Sequence, residues 1–441
     1  MEQDLTRGSV PGALVRFSLP LLGANLLQSL YNVVDMAVVG RFTGSAGLAA
    51  VSSAAMLSYI INALCTGVST GGSVLVAQAR GAGDGAGQRR AAGALFTVAL
   101  LASALITGLG LALCRPVFRL MNVPDVSIGP ALDYMPVLCL GTVFVFGYNA
   151  VCAVLRGLGD SASPLLLMAV ATAVNVLLDL LLVGALGMGT RGAALATVCA
   201  QGISCLAALA LLRRRRFPLS PCLHRPTCAA LLRIGLPSAV QMVVLNLSYL
   251  LVTGMLNAYG VVVAAAAGVG LKINTFAAMP CWAVGSAVTT MAGQCVGAGD
   301  PERARLACRT GVRLAAAVTA CCTVAVLLFA APIVRFFDAD PAVVAEGVRY
   351  LRICCSFNCL LYSAMYVYDA FATGAGAAWL AMLNALLQSL AFRLFFSWLL
   401  GRALGFGYVG IFWAEALSPL LPCFIGWSFF RSGLWRRGTT R

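Results

Sequence analysis

The sequence has 441 residues, of which 61% are hydrophobic and only 10% are charged, whereas soluble domains carry about a quarter charged residues. This composition excludes a water-facing surface for a chain of this length, so the lipid bilayer must supply the solvent. The formal net charge of +15 comes mostly from arginines in short segments between apolar runs, which excludes a continuous basic face for nucleic acid and makes these arginines indicators of membrane topology.

The first residues, MEQDLTRGSVPG, contain Glu2 and Asp4. They lack the basic stretch, the short apolar core and the small-residue cleavage site of a removable signal peptide. We therefore expect the first hydrophobic segment to remain in the protein as a membrane-spanning helix.

Long apolar runs, separated by glycine, proline and charged residues, predict the membrane-spanning helices, each of which needs about 20 mostly apolar residues. The first six runs lie at 14–40, 48–77, 91–113, 131–154, 163–186 and 191–212. After the linker RRRRFPLSPCLHRPT, six more lie at 232–258, 261–292, 308–333, 347–371, 376–400 and 407–430. The prediction is an all-α integral membrane protein with twelve transmembrane helices in two pseudo-symmetric six-helix lobes around a central cleft.

The two sets of six helices resemble each other in sequence. LVRFSLP at 14–20 matches LLRIGLP at 231–237, a spacing of 217 residues, and QARGAGD at 78–84 matches QCVGAGD at 294–300 within one residue of that register. Because each copy contains six helices, both copies have the same orientation and are related by an axis along the membrane normal. The sequence therefore predicts an internal duplication.

Arginines indicate which side of the membrane each connection faces, because basic residues concentrate in cytoplasmic loops. The even-numbered connections and the C-terminal tail hold most of them: Arg80, Arg89, Arg90, Arg156, Arg213 to Arg216, Arg225, Arg303, Arg305, Arg309, Arg431, Arg436, Arg437 and Arg441. We therefore predict that both termini and the long linker are cytoplasmic. The predicted domains are an N-terminal lobe at 1–212, a cytoplasmic linker at 213–230 and a C-terminal lobe at 231–441.

Polar residues inside the first lobe form a candidate cation site, since each ionisable group costs about 2.5–3.5 kcal/mol or more to insert into the bilayer. Asp35, Asp179 and Thr197 lie at a similar depth near the outer side. Asn175 is four residues before Asp179, so both side chains share one helical face. These residues predict an oxygen-rich pocket for a proton or Na⁺. In the alternative interpretation, each acid caps a helix end or pairs with an arginine.

The second lobe contains a different set of polar residues inside predicted helices, namely Lys272, Asp369, Arg393 and Glu415. Glu415 falls where the repeat places Thr197, so one polar position has a counterpart in each lobe. The sequence leaves two interpretations open for this set: a functional role, or an internal ion pair such as Lys272 with Glu415.

Aromatic and methionine side chains suit an adaptable apolar cavity for a small-molecule substrate. The candidates for such a cavity are Tyr31, Tyr59, Met279, Trp282 and Tyr366. Any helical bundle contains residues of this kind, so they are weak indicators of where a substrate binds.

Enzymatic and ATP-dependent functions lack the residues they need. The segment GAGDGAGQRR at 81–90 is glycine-rich but lacks the Gly-Lys-Ser/Thr ending of a phosphate-binding loop. A single histidine and the lack of a nucleophile or metal constellation argue against membrane enzyme chemistry. We therefore expect no enzymatic activity and no cofactor, and an ion gradient as the energy source.

Segments throughout the chain resemble the multidrug and toxin extrusion (MATE) family of cation antiporters. They are LPLLGANLLQSLYNVVDMAVVGR at 19–41, VAQARGAGD at 76–84, LRGLGD at 155–160, NVLLDLLL at 175–182 and QCVGAGD at 294–300. The resemblance implies that the family's cation-coupling positions fall on Asp35, Asn149, Asn175, Asp179 and Thr197. Another branch of the family uses acids in the second lobe. Asp369 resembles its helix-10 aspartate, but helix 7 here has no acid, which favours the first lobe.

The resemblance also implies a function. It predicts a monomeric exporter of the inner membrane that releases drug-like, often cationic amphipathic compounds in exchange for H⁺ or Na⁺, with Na⁺ held by Asp35, Asn175, Asp179 and Thr197. The alternative is a flippase for lipids or lipid-linked saccharides, which is expected to have about fourteen helices or an arginine-rich cavity. A membrane enzyme or receptor is a third class, and it requires a catalytic constellation or a large soluble domain.

Overall fold

The structure, a computed structural model, describes residues 3–120, 125–217 and 221–436. These residues form fourteen helices, and the described ranges contain no β-strand. Glu2 of the N-terminal segment, part of the predicted linker, and Arg437 and Arg441 of the predicted cytoplasmic tail lie outside the described residues.

Six long helices form the first half of the chain. They are α1 Val10–Gly44, α2 Ala49–Gly81, α3 Gly85–Leu120, α4 Asp125–Gly157, α5 Ala162–Ala185 and α6 Gly189–Arg214. Gly44 separates α1 from α2 with φ 70° and ψ −168°, a conformation that is essentially restricted to glycine. The end of α5, Leu180–Ala185, is π-helical.

Eight helices form the second half. They are α7 Arg225–Asn257, α8 Val261–Gly297, α9 Pro301–Leu328, α10 Ala330–Phe337, α11 Pro341–Cys354, α12 Phe357–Gly374, α13 Ala378–Ala403 and α14 Gly407–Ser432. Two stretches of α13 are π-helical, Leu387–Leu394 and Leu399–Ala403.

Eleven of the helices in the described ranges are long and apolar enough to span a membrane. The predicted tenth helix, 347–371, is instead divided between α11 and α12. Ser356 donates a side-chain hydrogen bond to the Ile353 carbonyl and Asn358 donates one to the Cys354 carbonyl, each at 3.0 Å. These side chains satisfy carbonyls that a continuous helix would have used. The predicted all-α membrane fold is confirmed, and its tenth segment consists of two helices.

The chain divides into two units by its internal contacts. Unit 1 holds Gly23–Ala239 together with the start of the chain up to Asp4, and unit 2 holds Leu5–Leu22 together with the chain from Val240 onwards. The unit boundaries therefore fall within α1 and α7. The predicted division at 1–212, 213–230 and 231–441 follows the sequence repeat and stays a prediction.

Small residues let helices approach closely in unit 1, as is common in membrane proteins. Gly67 of α2 faces Gly235 of α7, and a Cβ added to Gly235 would lie 3.0 Å from the Gly67 carbonyl oxygen. Either glycine therefore allows a backbone contact that a larger residue would prevent.

Three Gly-x-Gly-Asp motifs turn the chain between consecutive helices. The second glycine of each has a positive φ: 69° at Gly83, 92° at Gly159 and 72° at Gly299. The aspartate that follows accepts a hydrogen bond from the backbone N–H three residues later, at 2.8 Å for Asp84, 3.0 Å for Asp160 and 2.9 Å for Asp300. The repeated motif is thus a helix-capping device.

Asp160 makes the most extensive of these caps. It is fully buried and accepts hydrogen bonds from the Ser163 hydroxyl at 2.7 Å and from Arg215 at 2.5 Å. Burial alone would raise the pKa of the Asp160 carboxyl, but the hydrogen bonds from Ser163 and Arg215 outweigh it and hold the pKa below its usual range. The connection between α4 and α5 is therefore fixed by a buried charge.

Candidate functional site

Two buried acids meet inside unit 1. Asp35 of α1 is 9% exposed and Asp179 of α5 is fully buried. Their carboxyl groups lie close enough to act on each other electrostatically, so the protonation of one affects the other. The structure therefore brings together the two carboxyls that the sequence placed at one depth.

The local fold of α5 turns its polar residues inward. Asn175 and Asp179 are four residues apart and are both fully buried, as their spacing on one helical face predicts. The helix becomes π-helical at Leu180, directly after Asp179. Such π-helical turns inside α-helices occur frequently at functional sites.

Hydroxyl groups complete this cluster. The Tyr31 hydroxyl donates a hydrogen bond to Thr197 Oγ1 on α6 at 3.3 Å. Tyr134 of α4 is 6% exposed and lies close enough to Asp35 and Asp179 to interact with them electrostatically. Tyr31 thus belongs to the polar cluster, although the sequence suggested it for an apolar cavity. Tyr134 could not be identified from the sequence, because its position depends on how α4 packs.

Several buried atoms of the cluster have no hydrogen-bond partner within the described residues. They are Asp35 Oδ1, both carboxylate oxygens of Asp179, and both polar atoms of the Asn175 amide. A buried carboxylate without a partner is strongly unfavourable. The cluster therefore favours a bound proton or cation, and its oxygens are hard donors that suit either one.

The alternative roles for these acids are not seen in the described part of the chain. Asp35 lies nine residues before the end of α1, so it does not cap that helix. None of the ion pairs between described residues joins an arginine to Asp35 or Asp179. Arg41, the nearest arginine in sequence to Asp35, is exposed. Whether the cluster couples transport to a cation stays a prediction.

Asn149 lies apart from this cluster. Its side-chain amide donates to the Val145 carbonyl at 2.9 Å, and it neighbours Cys65 of α2. On α4 it is fifteen residues from Tyr134, which corresponds to about 22 Å along a helix. The structure thus groups four of the five predicted coupling residues and places Asn149 elsewhere in unit 1.

Unit 2 holds a second buried polar cluster, around Glu415. The Tyr350 hydroxyl donates to Glu415 Oε2 at 3.2 Å, and both residues are at most 3% exposed. Arg393 is the positive charge that acts on Glu415. Its guanidinium lies 4.0 Å from the centre of the Tyr249 ring and 3.5 Å from Ser248 Oγ.

The suggested ion pair between Lys272 and Glu415 is therefore wrong. Lys272 is exposed, and no ion pair within the described ranges involves it. The neighbours of Glu415 come instead from α11 and α13. The sequence showed Arg393 inside a helix but not which acid it faces.

Asp369 is satisfied within unit 2. The Asn384 amide on α13 donates to Asp369 Oδ1 at 2.6 Å, and both residues are at most 3% exposed. Asp369 is therefore held by a neutral partner within unit 2.

The aromatic candidates for a substrate cavity divide between the units. In unit 2, the Trp282 indole donates to the Tyr362 hydroxyl at 3.1 Å, the Tyr362 and Tyr366 rings stack at 6.1 Å, and Met279 is 3% exposed. In unit 1, Tyr59 is 61% exposed. The sequence thus identified residues of an aromatic group in unit 2, whose role in substrate binding stays a prediction.

The fold and the buried acids define a class: a multi-pass helical membrane protein built from a repeated unit. The model of the MatE family matches the chain twice, at residues 20–181 and 237–399. These matches start 217 residues apart, the same spacing as the internal repeat. The chain belongs to the MatE family, in agreement with the resemblance in its sequence.

Relatives and solved structures agree with this assignment. The chain is 28% identical over 98% of its length to the probable multidrug resistance protein YpnP of Bacillus subtilis (strain 168), of which it covers 97%. It is 30% identical over 80% of its length to YoeA, another probable multidrug resistance protein of that organism, of which it covers 78%. A crystal structure of MATE in the bent conformation has the same fold, with a TM-score of 0.93 and 22% identity over 99% of this chain and 98% of that one.

Proposed function

We propose that this chain is a secondary active antiporter that exports drug-like, often cationic amphipathic compounds in exchange for H⁺ or Na⁺. The observation that carries the proposal is the pair of buried acids in unit 1, whose oxygens Asp35 Oδ1, Asp179 Oδ1 and Asp179 Oδ2 have no partner among the described residues. The names of YpnP and YoeA support drug export.

The proposed coupling step takes place at Asp35 and Asp179. When both are ionised and empty, the two carboxylates repel each other in a medium of low polarity. Uptake of a proton or Na⁺ removes that repulsion and lets α1 pack against α5 and α6. Asn175 and Thr197 supply further oxygens for Na⁺. The cation thus favours one conformation of unit 1, and the substrate favours another.

The proposed setting is the inner membrane, with both termini in the cytoplasm and a monomer as the working unit. Its partners are a small-molecule substrate and the lipid bilayer. The proposal includes no enzymatic step, no organic cofactor and no nucleic acid.

Transport by reconstituted protein tests the proposal. A cationic dye is loaded into proteoliposomes, and H⁺ and Na⁺ gradients are imposed separately. We expect one gradient to drive dye movement in the wild type. Asp35→Asn and Asp179→Asn are expected to remove most of the gradient-driven transport, because they remove the carboxylates that take up the coupling cation.

Asp133→Asn is the matched control, because Asp133 is an exposed acid on α4 beside Tyr134. It should transport like the wild type. Full gradient-driven exchange by Asp35→Asn and Asp179→Asn, at normal expression levels, would contradict the assignment of the acids.

A further inference from the structure

Unit 2 contains a cavity of about 520 Å³ at one end of its helices. It is lined by three arginines and three aromatic residues: Arg305, Arg309, Tyr368, Trp427, Phe430 and Arg431. This volume is in the range of small-molecule sites. None of these residues belongs to the two buried polar clusters.

The cavity lies near the ends of its helices, the level at which a bilayer would place lipid headgroups. Arg431 is the penultimate residue of α14, and Arg309 is eight residues from the start of α9, about 12 Å along the helix. Tyr368 is six residues from the end of α12, about 9 Å. The start of α9 and the ends of α12 and α14 face one side of the membrane. Tyrosine and tryptophan are enriched at this level.

Two of the three arginines have no acidic partner in the described part of the chain. Arg305 lies 3.9 Å from Glu302, but Arg436 binds that carboxylate more closely, at 2.6 Å. No ion pair between described residues involves Arg309 or Arg431, and both are exposed. The cavity therefore carries an excess of positive charge.

Arg303, in contrast, has a structural role nearby. Its guanidinium donates to the carbonyls of Leu5, Arg7 and Gly8 at 3.0, 2.6 and 3.0 Å. That arginine holds the start of the chain and does not line the cavity. Arg303 is thus used for a structural contact, whereas Arg309 and Arg431 in the cavity lining have no acidic partner among the described residues.

The arrangement of the arginines favours an anion between them. Arg305 and Arg309 are one helical turn apart, where like charges repel. The Arg431 guanidinium lies 5.2 Å from the centre of the Trp427 ring. This cation–π contact occupies one face of the guanidinium and holds it in place. The edge of a guanidinium held in this way is free to bind a phosphate through two N–H groups.

We propose that this cavity binds the headgroup of an anionic phospholipid, with the phosphodiester between Arg309 and Arg431. A lipid fits better than free phosphate, because Tyr368, Trp427 and Phe430 supply apolar surface beside the charge and the cavity lies where lipid phosphates are concentrated. The bound headgroup would fix the ends of α9 and α14 relative to each other.

Native mass spectrometry of the purified full-length protein tests the proposal by counting retained lipids. Wild-type protein is mixed with equal amounts of phosphatidylglycerol and phosphatidylcholine. We expect selective retention of phosphatidylglycerol, and its loss as salt concentration rises. Arg309→Gln combined with Arg431→Gln should weaken this retention on the order of tenfold.

Two further variants separate binding from folding. Arg335→Gln removes an exposed arginine of α10 outside the cavity and should leave retention unchanged. Arg309→Lys combined with Arg431→Lys keeps the charge and should retain most of the phosphatidylglycerol. Recovery by lysine would show that the glutamine variant loses charge and not structure.

Three results would overturn the proposal. The first is equal retention of phosphatidylglycerol by the wild type and the glutamine variant. The second is equal retention of phosphatidylcholine and phosphatidylglycerol by the wild type. The third is full displacement of phosphatidylglycerol by millimolar inorganic phosphate, which would identify a site for the free anion.

Discussion

At the residue scale, Asp179 carries the main physical argument. It is fully buried, and neither of its carboxylate oxygens has a partner among the described residues. Asp160, which is also fully buried, is bonded by Ser163 and Arg215. One buried aspartate is thus satisfied by the protein, whereas the other favours a bound proton or cation.

Tyr350 is expected to stabilise unit 2 through Glu415. Within the described residues, Tyr350→Phe removes the one hydrogen bond that this buried carboxyl accepts, so we expect the free energy of unfolding to fall by about 1–3 kcal/mol, measured by thermal denaturation in detergent. Tyr59→Phe, at an exposed tyrosine, should have no measurable effect.

A double-mutant cycle isolates this contact. In a Glu415→Gln background, Tyr350→Phe should lower the free energy of unfolding by less than it does in the wild type, because the two residues are coupled. Equal costs in both backgrounds would show that the Tyr350 hydroxyl stabilises the protein through something other than Glu415.

The site was predictable where it depends on local spacing. Asn175 and Asp179 share a face because they are four residues apart, and both are buried. Tyr134 and the partner of Glu415 were not predictable, because they depend on which helices pack together. Asn149 matched the family by its place in α4, but helix geometry places it about 22 Å from Tyr134.

At the element scale, the Asp160 cap is expected to make stability depend on pH. In the folded protein, the pKa of Asp160 is below its ordinary value. Its contribution to folding stability is therefore complete above the unfolded-state pKa of about 3.9 and is lost as pH falls through the folded-state pKa. Asp160→Asn should therefore lower the melting temperature at neutral pH and reduce the free energy of unfolding by about 1–3 kcal/mol.

The difference between the wild type and Asp160→Asn should shrink as pH falls below about 4. Asp133→Asn, at an exposed acid, is the control and should follow the wild type throughout. A difference that stays constant down to the lowest accessible pH would show that the charge of Asp160 is not what stabilises this connection.

Most helices were predictable from apolar length, whereas their irregularities were not. The tenth segment breaks near Ser356 without a glycine or proline, because Ser356 and Asn358 bond to carbonyls of the preceding turn. The π-helical end of α5 likewise leaves no pattern of hydrophobicity. The helix ends at Gly44 and at the three Gly-x-Gly-Asp motifs could be predicted, because glycine readily adopts the positive φ found there.

At the scale of the whole molecule, the two copies of the repeat share a scaffold but differ in charge. The first copy carries Asp35, Asn175 and Asp179, and the second has Val252, Phe392 and Phe396 at the equivalent positions. The Phe392 and Phe396 rings stack at 5.4 Å. In the second copy, Arg393 acts on Glu415 and the Asn384 amide donates to Asp369. Within the described residues, a neighbouring pair of buried carboxyls that both have unpartnered oxygens occurs in the first copy, at Asp35 and Asp179.

Binding of a cationic dye to detergent-solubilised protein, measured while pH and Na⁺ are varied, tests this claim most directly. Because coupling between two ligands is reciprocal, the coupling cation should weaken dye binding by the wild type by about 5–150-fold. The Asp35→Asn, Asp179→Asn double variant should bind dye with an affinity that is independent of both cations. Dye binding that ignores both cations in the wild type, or an undiminished dependence in the double variant, would contradict the account.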